Sequence, residues 1–505
     1  MTLNKILYSV LIAGLVAGCS ASCSKQDNSK PTPEKATETS KEDLIDKEKV
    51  YQLTTTADRA FDLHASAVDF SKKDNLSPYT ITLNPAERFQ EIDGFGAAIT
   101  GSTAFNLMKM TKEDRQAFLE ETFSPTKGYG YSYVRMSIGC SDFSLSEFTC
   151  CDTPGLENFV LSEEDRTYVI PILKEILAIN PKLKIMGSPW TPPLWMKVGD
   201  IEKREPYKEW HGGHLNPKYY STYGEYFVLW IQALAKEGIT IHSITPQNEP
   251  LNPGNSASCV MPWEEQRNFV KEGLGPQLKK AGLKTKVYLF DHNYNYDGIA
   301  SQQSYPLKVY ADAEASSYVA GAAYHNYGGD KKELDRIHKA APEKELIFTE
   351  TSIGEWNKGR DLAHRLVDDM NQIGLGTVNN WCRGAIVWNL MLDSERSPYR
   401  PGGCSTCYGA VDIDSKDYKT ITRNSHYYVM AHLASVVDPG AYRIGTTGYT
   451  VSGLTYSAFQ NPDGSLAFVA SNSSSEARSI TVATQDGHFT QSIPSNSVVS
   501  FKWKK

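Results

Sequence analysis

From about residue 90 to residue 393, short apolar or β-branched runs alternate with amphipathic stretches of helical length. This is the pattern of parallel strands joined by crossover helices. Eight such runs are present, at 90–98, 133–138, 183–187, 239–246, 286–290, 319–324, 345–349 and 384–388. The stretch 162–179 illustrates the helices between them: Ser162 with Asp165 reads as an N-terminal cap, and Val169, Leu173 and Leu177 fall on one face. Eight strand–helix units that close on themselves make an α/β fold of the (β/α)₈ barrel type. A doubly wound open sheet would need a glycine-rich phosphate loop after its first strand, and the sequence has none there.

After a last helix at 427–436 the period shortens to two, at 454–460, 466–471, 478–484, 489–494 and 498–503, with Asn461-Pro462-Asp463-Gly464 as a turn between the first two. These runs predict a small β-sandwich, completed by strands from 50–84, that supports the barrel. At the other end, Lys5 precedes an apolar run from 6 to 18, too short for a membrane span of ~20 residues but suited to a signal-peptide core. It closes on Val16-Ala17-Gly18-Cys19, where small residues before a cysteine resemble a bacterial lipoprotein signal. Cleavage there would leave Cys19 to carry the lipid, with Cys23 a weaker candidate. Residues 24–46 contain scarcely an apolar side chain and cannot offset their ordering entropy, so they read as a tether. The expected organisation is a signal peptide at 1–19, a tether at 20–49, sandwich strands at 50–86, the catalytic barrel at 87–436 and the sandwich at 437–505. The expected location is outside the cytoplasm, anchored to a membrane at the cell surface or in the periplasm.

Composition narrows the picture only a little. A chain of 505 residues has room for two domains, since single cores stop growing near ~250–300 residues. A net charge of -7 with interspersed signs offers no basic stripe for a phosphate backbone, so nucleic acid is not an expected partner. Seven of the nine cysteines lie beyond Cys23, an odd number that cannot all pair within one chain. Cys404-x-x-Cys407 has no second pair at zinc spacing and reads as a local disulfide or two free thiols. His211-x-x-His214 lies in a glycine-containing loop without supporting carboxylates. No metal or cofactor is expected.

In a barrel of this kind the active site lies at the C-terminal ends of the strands. The fourth run ends in Gln247-Asn248-Glu249-Pro250 and the seventh in Thr349-Glu350, which puts two carboxylates at one barrel mouth. Hydrolysis of a glycosidic bond with retention needs such a pair about 5–5.5 Å apart, one to protonate the leaving oxygen and one to attack the anomeric carbon. Arg135, in the second run, would favour the ionised form of Glu350. Glu355 is a lesser rival for nucleophile, lying past the strand end. A binding protein without catalysis, a glycan-binding lipoprotein, is the alternative of another class, but it has no use for an acid and a nucleophile at those two positions.

Asn-Glu-Pro after the fourth strand, with Glu after the seventh, resembles the clan A glycoside hydrolases. Within that clan the chain resembles glycoside hydrolase family 30 from about Glu87 to Trp503. The carriers are Asp93-Gly94-Phe95-Gly96-Ala97-Ala98, Cys140-Ser141-Asp142-Phe143-Ser144, Ser188-Pro189-Trp190-Thr191-Pro192-Pro193-Leu194-Trp195-Met196-Lys197, Gln247-Asn248-Glu249-Pro250 and Trp388-Asn389-Leu390. The resemblance implies that Glu249 is the acid/base and Glu350 the nucleophile. It implies that Tyr327, in His325-Asn326-Tyr327, donates to the nucleophile, that Asn248 binds the sugar 2-hydroxyl, and that Trp190 and Trp388 bound the sugar pocket. One position departs from the pattern: glucosylceramidase-like members carry Asp where this chain has Gly101. Gly101 is expected to open the cleft and favour a polysaccharide, so an endo-β-1,6-glucanase is preferred over a glucosylceramidase, an exo-β-glucosidase or a β-xylosidase.

Overall fold

The computed structural model describes residues 49–72 and 76–504. The signal peptide, Cys19 and nearly all of the tether lie outside the described residues.

The eight parallel runs close into a barrel. In chain order the strands are Gly94–Ala98, Tyr133–Ile138, Lys184–Pro189, Ser243–Ile244, Lys286–Asn293, Gly321–His325, Glu345–Glu350 and Cys382–Asn389, each hydrogen-bonded to the next and the last to the first. They are buried on both faces, which is why they read as near-continuous apolar runs.

Several boundaries differ from the sequence reading. Gln90 and Glu91 belong to a long sandwich strand, Thr80–Glu91, and the barrel begins only at Gly94, after Asp93 has turned to pair with Lys184 and Arg383 at the barrel foot. The fourth strand shrinks to Ser243–Ile244, and Pro246, which has no N–H for a ladder, keeps it from running on. The fifth runs on to Asn293 through a bulge at Phe290/His292. The helix expected at 162–179 keeps its cap, with Asp165 N–H donating to Ser162 Oγ at 2.9 Å. Its first turn, Asp165–Val169, is a π-helix just ahead of Pro171, which cannot donate to the preceding turn; the α-helix proper is Ile170–Ile179.

The second body is a nine-stranded sheet in which Lys49–Thr56, His64–Asp69 and Thr80–Glu91 join six strands from Tyr442 onward. Lys49–Thr56 pairs with the final strand, Ser497–Trp503. The sheet curls until Ser71 at one end bonds His488 at the other, enclosing Ile81, Phe468, Phe489, Phe501 and Trp503. Its outer surface packs on the helix Ser425–Ala434, where His432 bridges Thr55 and Ser500, each at 2.9 Å.

Candidate active site

Strand side chains alternate, so every second residue points into the barrel. A buried apolar layer of Tyr133, Met186, Tyr288, Ala323, Ile347 and Ile386 fills its lower half. Two residues further along the same strands stand Arg135, Ser188, His325, Thr349 and Trp388. This second layer is polar, and it is the floor of the site.

Arg135, fully buried, organises it. Its guanidinium donates to Glu350 Oε2 at 2.6 Å, Asn248 Oδ1 at 2.7 Å, Asp291 Oδ2 at 2.8 Å and Ser188 Oγ at 3.2 Å. Burial alone would lower the guanidinium's affinity for its proton, but Asp291 and Glu350 more than reverse that, so the cation is permanent. A planar fork can serve all these acceptors at once where a point charge could not.

The carboxylates of Glu249 and Glu350 converge beside this cation. One oxygen of each, together with a ring nitrogen of His325, lies within 4.8 Å of the others. Three such ligands could reach a cation, but the guanidinium already supplies the positive charge there. Glu350 Oε1 also accepts a hydrogen bond from the Tyr327 hydroxyl at 3.0 Å. Glu249 contacts His325 Nδ1 at 3.2 Å and accepts from Asn252 Nδ2 at 2.8 Å, with His292 Nε2 at 4.0 Å. Its backbone is left-handed, φ 43°, an uncommon conformation outside glycine that turns the side chain into the barrel mouth.

Burial raises the Glu350 carboxyl, and His325 and Arg135 oppose it. Burial also raises Glu249, but the charges of His292 and then His325 outweigh it and hold Glu249 low. That pull lasts only while the imidazoles are cationic. Burial lowers His292 itself, against the opposing charges of Glu249 and Asp297. His325 is pushed down by burial but lifted to about 9 by Glu350, Asp291 and Glu249. Carboxylates this close titrate as a pair, in which the His292 and His325 charges favour the ionised form of Glu249 and the His325 and Arg135 charges favour that of Glu350.

Asp291 and His292 were not read as site residues in the sequence. The bulge brings them in: Phe290 and Asp291 both have positive φ, and Gln266 Oε1 accepts the Phe290 N–H at 2.8 Å. Asp291 then accepts from Arg135, Thr245, Thr349 and His325, and these cationic and hydroxyl donors hold it far below the usual carboxylate range despite its burial. The signal was present, because Asp291-His292-Asn293 follows an apolar run just as Asn248-Glu249 does. Asp142, quoted above only as part of a motif, also lines the cavity; burial and the two glutamates push its carboxyl well above the ordinary range.

Of the two tryptophans expected to bound the sugar pocket, Trp388 does so and Trp190 does not. Trp190 and Trp388 stack on each other, centroids 5.2 Å apart, with Arg135 over both rings. Trp388 lines the cavity of about 420 Å³ that holds Glu249 and Glu350. Trp190 is buried behind it and does not line that cavity; its indole Nε1 has no hydrogen-bond partner among the described residues.

Gly101 does not open the cleft. It is buried at the first turn of the helix Gly101–Lys109, and a Cβ there would lie 1.7 Å from Glu164 Oε1. The space belongs to Glu164, which accepts the Leu145 N–H at 2.7 Å and which burial raises to about 7. The inference drawn from Gly101 about substrate therefore falls. Glu355 pairs with Arg396 at 2.7 Å, away from the carboxylate pair. Cys404 and Cys407 form a disulfide at the cavity wall, and Cys140, Cys150, Cys151, Cys259 and Cys382 are buried free thiols. His214 bonds Glu265 at 2.9 Å, and His211 is exposed.

Comparison with known proteins bears on this arrangement. The family model described as the glycosyl hydrolase family 30 TIM-barrel domain matches residues 92–437, and that of the family 30 β-sandwich domain matches 440–501. An endo-1,6-β-D-glucanase of Trichoderma harzianum is 31% identical over 434 residues, 82% of this chain and 84% of its own. The lysosomal acid glucosylceramidase of Mus musculus is 28% identical over 450 residues, 84% of this chain and 83% of its own. Among solved structures, the endo-β1,6-glucanase BT3312 superposes with a TM-score of 0.89 at 61% identity, covering 90% of this chain and all of its own.

Proposed function

Because the chain belongs to glycosyl hydrolase family 30, we propose that it is a retaining endo-β-1,6-glucanase with Glu350 as nucleophile and Glu249 as acid/base. The observation that carries the mechanism is the approach of the two carboxylates to within 4.8 Å. This is near the ~5–5.5 Å of retaining enzymes and well short of the ~6.5–9.5 Å that leaves room for an inverting water. Glu350, aimed by Arg135 and Tyr327, attacks the anomeric carbon as its carboxylate. Glu249 gives its proton to the departing glycosidic oxygen. Water then hydrolyses the glycosyl-enzyme, its proton returning to Glu249, so two inversions leave the β configuration intact. Asn248 is held by Arg135 close to the carboxylate pair, where it can meet the 2-hydroxyl as the oxocarbenium-like transition state forms.

The linkage rests on the endo-β-1,6-glucanases among the relatives, the 61% identical structure above all. A screen of β-1,6-, β-1,3- and β-1,4-glucans, xylan and glucosylceramide with product sizing tests it. Fastest cleavage of β-1,6-glucan into oligosaccharides is expected; preference for glucosylceramide would replace the linkage while leaving the mechanism. We further propose export and lipid anchoring at Cys19, supported by the apolar run ending in Val16-Ala17-Gly18-Cys19. Cys19→Ser should lose lipid labelling, and retention of label would transfer the anchor to Cys23.

A further inference from the structure

Trp356 is 53% exposed, although Trp is usually highly buried. It stands at a functional edge. With Tyr327 it borders the cavity of about 420 Å³ that holds Glu249 and Glu350, and the same two rings border a second cavity of about 520 Å³. The first cavity reaches the carboxylates; the second leads away from them and is lined by Asn326, Asp330, Lys331 and Gln372. We infer that Trp356 is a stacking platform for a second glucan residue, beyond the one whose bond is cleaved, and that the second cavity carries the chain onward. The inference rests on the glucanase reading of the site.

The ring is built to be presented. A Cβ on Gly354 would lie 1.9 Å from the indole Cζ3, so the ring rests directly against glycine backbone, a position no other residue would allow. The turn that carries it is fixed on three sides. The Gly354 N–H donates to Asn357 Oδ1 at 2.9 Å, the Glu355 N–H donates to the Thr406 carbonyl at 3.0 Å, and Arg396 pairs with Glu355 at 2.7 Å. Beneath it Ile353–Gly354 pairs with Cys407–Tyr408, a loop closed by the Cys404–Cys407 disulfide. A platform held in this way loses little freedom when a ligand stacks on it. A pyranose suits the arrangement, because its C–H face meets an indole while its rim hydroxyls meet amide, carboxylate and ammonium groups. A tryptophan serving only to fill the loop would be buried in it.

The test compares wild type, Trp356→Ala and Trp356→Tyr in the full chain on soluble β-1,6-glucan and on β-glucosyl fluoride, which has no second sugar to stack on Trp356. The ratio of kcat/KM on polymer to that on the fluoride should fall about tenfold in Trp356→Ala and recover largely in Trp356→Tyr. An unchanged ratio, whether both rates stay or both fall, overturns the inference. Wild-type inactivity on β-1,6-glucan would overturn the linkage instead, and the wild-type measurement alone decides that.

Discussion

Replacing Arg135 with Lys keeps a buried positive charge but removes the fork that serves Glu350, Asn248, Asp291 and Ser188 together. An ammonium on a shorter reach can keep about two of these partners, so two acceptors lose a charged donor. Hydrogen bonds to charged groups contribute about 1.5–3 kcal/mol each, and disrupting a buried ion pair costs about 3–5 kcal/mol. The variant should therefore lose about 3–5 kcal/mol in urea unfolding while remaining folded. A nucleophile no longer held at 2.6 Å should lower kcat/KM roughly a hundredfold. The pH profile separates this from general loosening. Burial already raises the Glu350 carboxyl, and Arg135 is one of the charges that oppose the rise. With that opposition weakened, the acid limb of kcat/KM should move up by about one pH unit. A variant with the wild-type acid limb and a rate within a few-fold of wild type would refute the role given to Arg135.

Further expectations concern Glu164 and Gly101. Glu164 is raised from 4.5 to about 7 in the fold. As pH rises from 4.5 to 7 the unfolded chain gives up a proton that the folded one keeps, so this group costs stability across that window, up to about 3 kcal/mol, and adds no further loss above it. Glu164→Gln keeps an acceptor for the Leu145 N–H and should flatten that decline in urea titrations between pH 5 and 7; an unaltered slope would rule Glu164 out as its source. Gly101→Asp must displace the Glu164 carboxylate, so it should lose about 2 kcal/mol and leave the preference among β-glucans and glucosides as it was. A clear shift toward terminal glucosides would restore the reading of Gly101 as a specificity position.

The barrel could be read from the sequence because its strands are buried on both faces and so appear as uninterrupted apolar runs. The carboxylate pair could be read because each glutamate closes such a run. The fifth run likewise closes on polar residues, Asp291-His292-Asn293, but the bulge that turns Asp291 inward leaves no mark in hydrophobic pattern. Tertiary contact decided the rest. Nothing near Gly101 in the chain announces that Glu164 fills its space, and no pattern tells that Trp190 spends its ring on Trp388 and Arg135 while Trp356, in an unremarked loop, stands open beside the cavity. The conversion of Gln90 and Glu91 to a sandwich strand reflects the same limit, since one extended segment serves two sheets in succession and only pairing marks the change.

The division of labour between the two glutamates is the centre of the account, and azide trapping on an activated β-glucoside tests it most directly. Glu350→Gly leaves a vacancy on the nucleophile's side of the anomeric carbon, where azide can attack in one inversion. Glu249→Ala still forms the glycosyl-enzyme with a good leaving group but cannot activate water, so azide intercepts the intermediate in a second inversion. The predicted products are α-glycosyl azide from Glu350→Gly and β-glycosyl azide from Glu249→Ala; β-azide from Glu350→Gly, or α-azide from Glu249→Ala, would contradict the assignment.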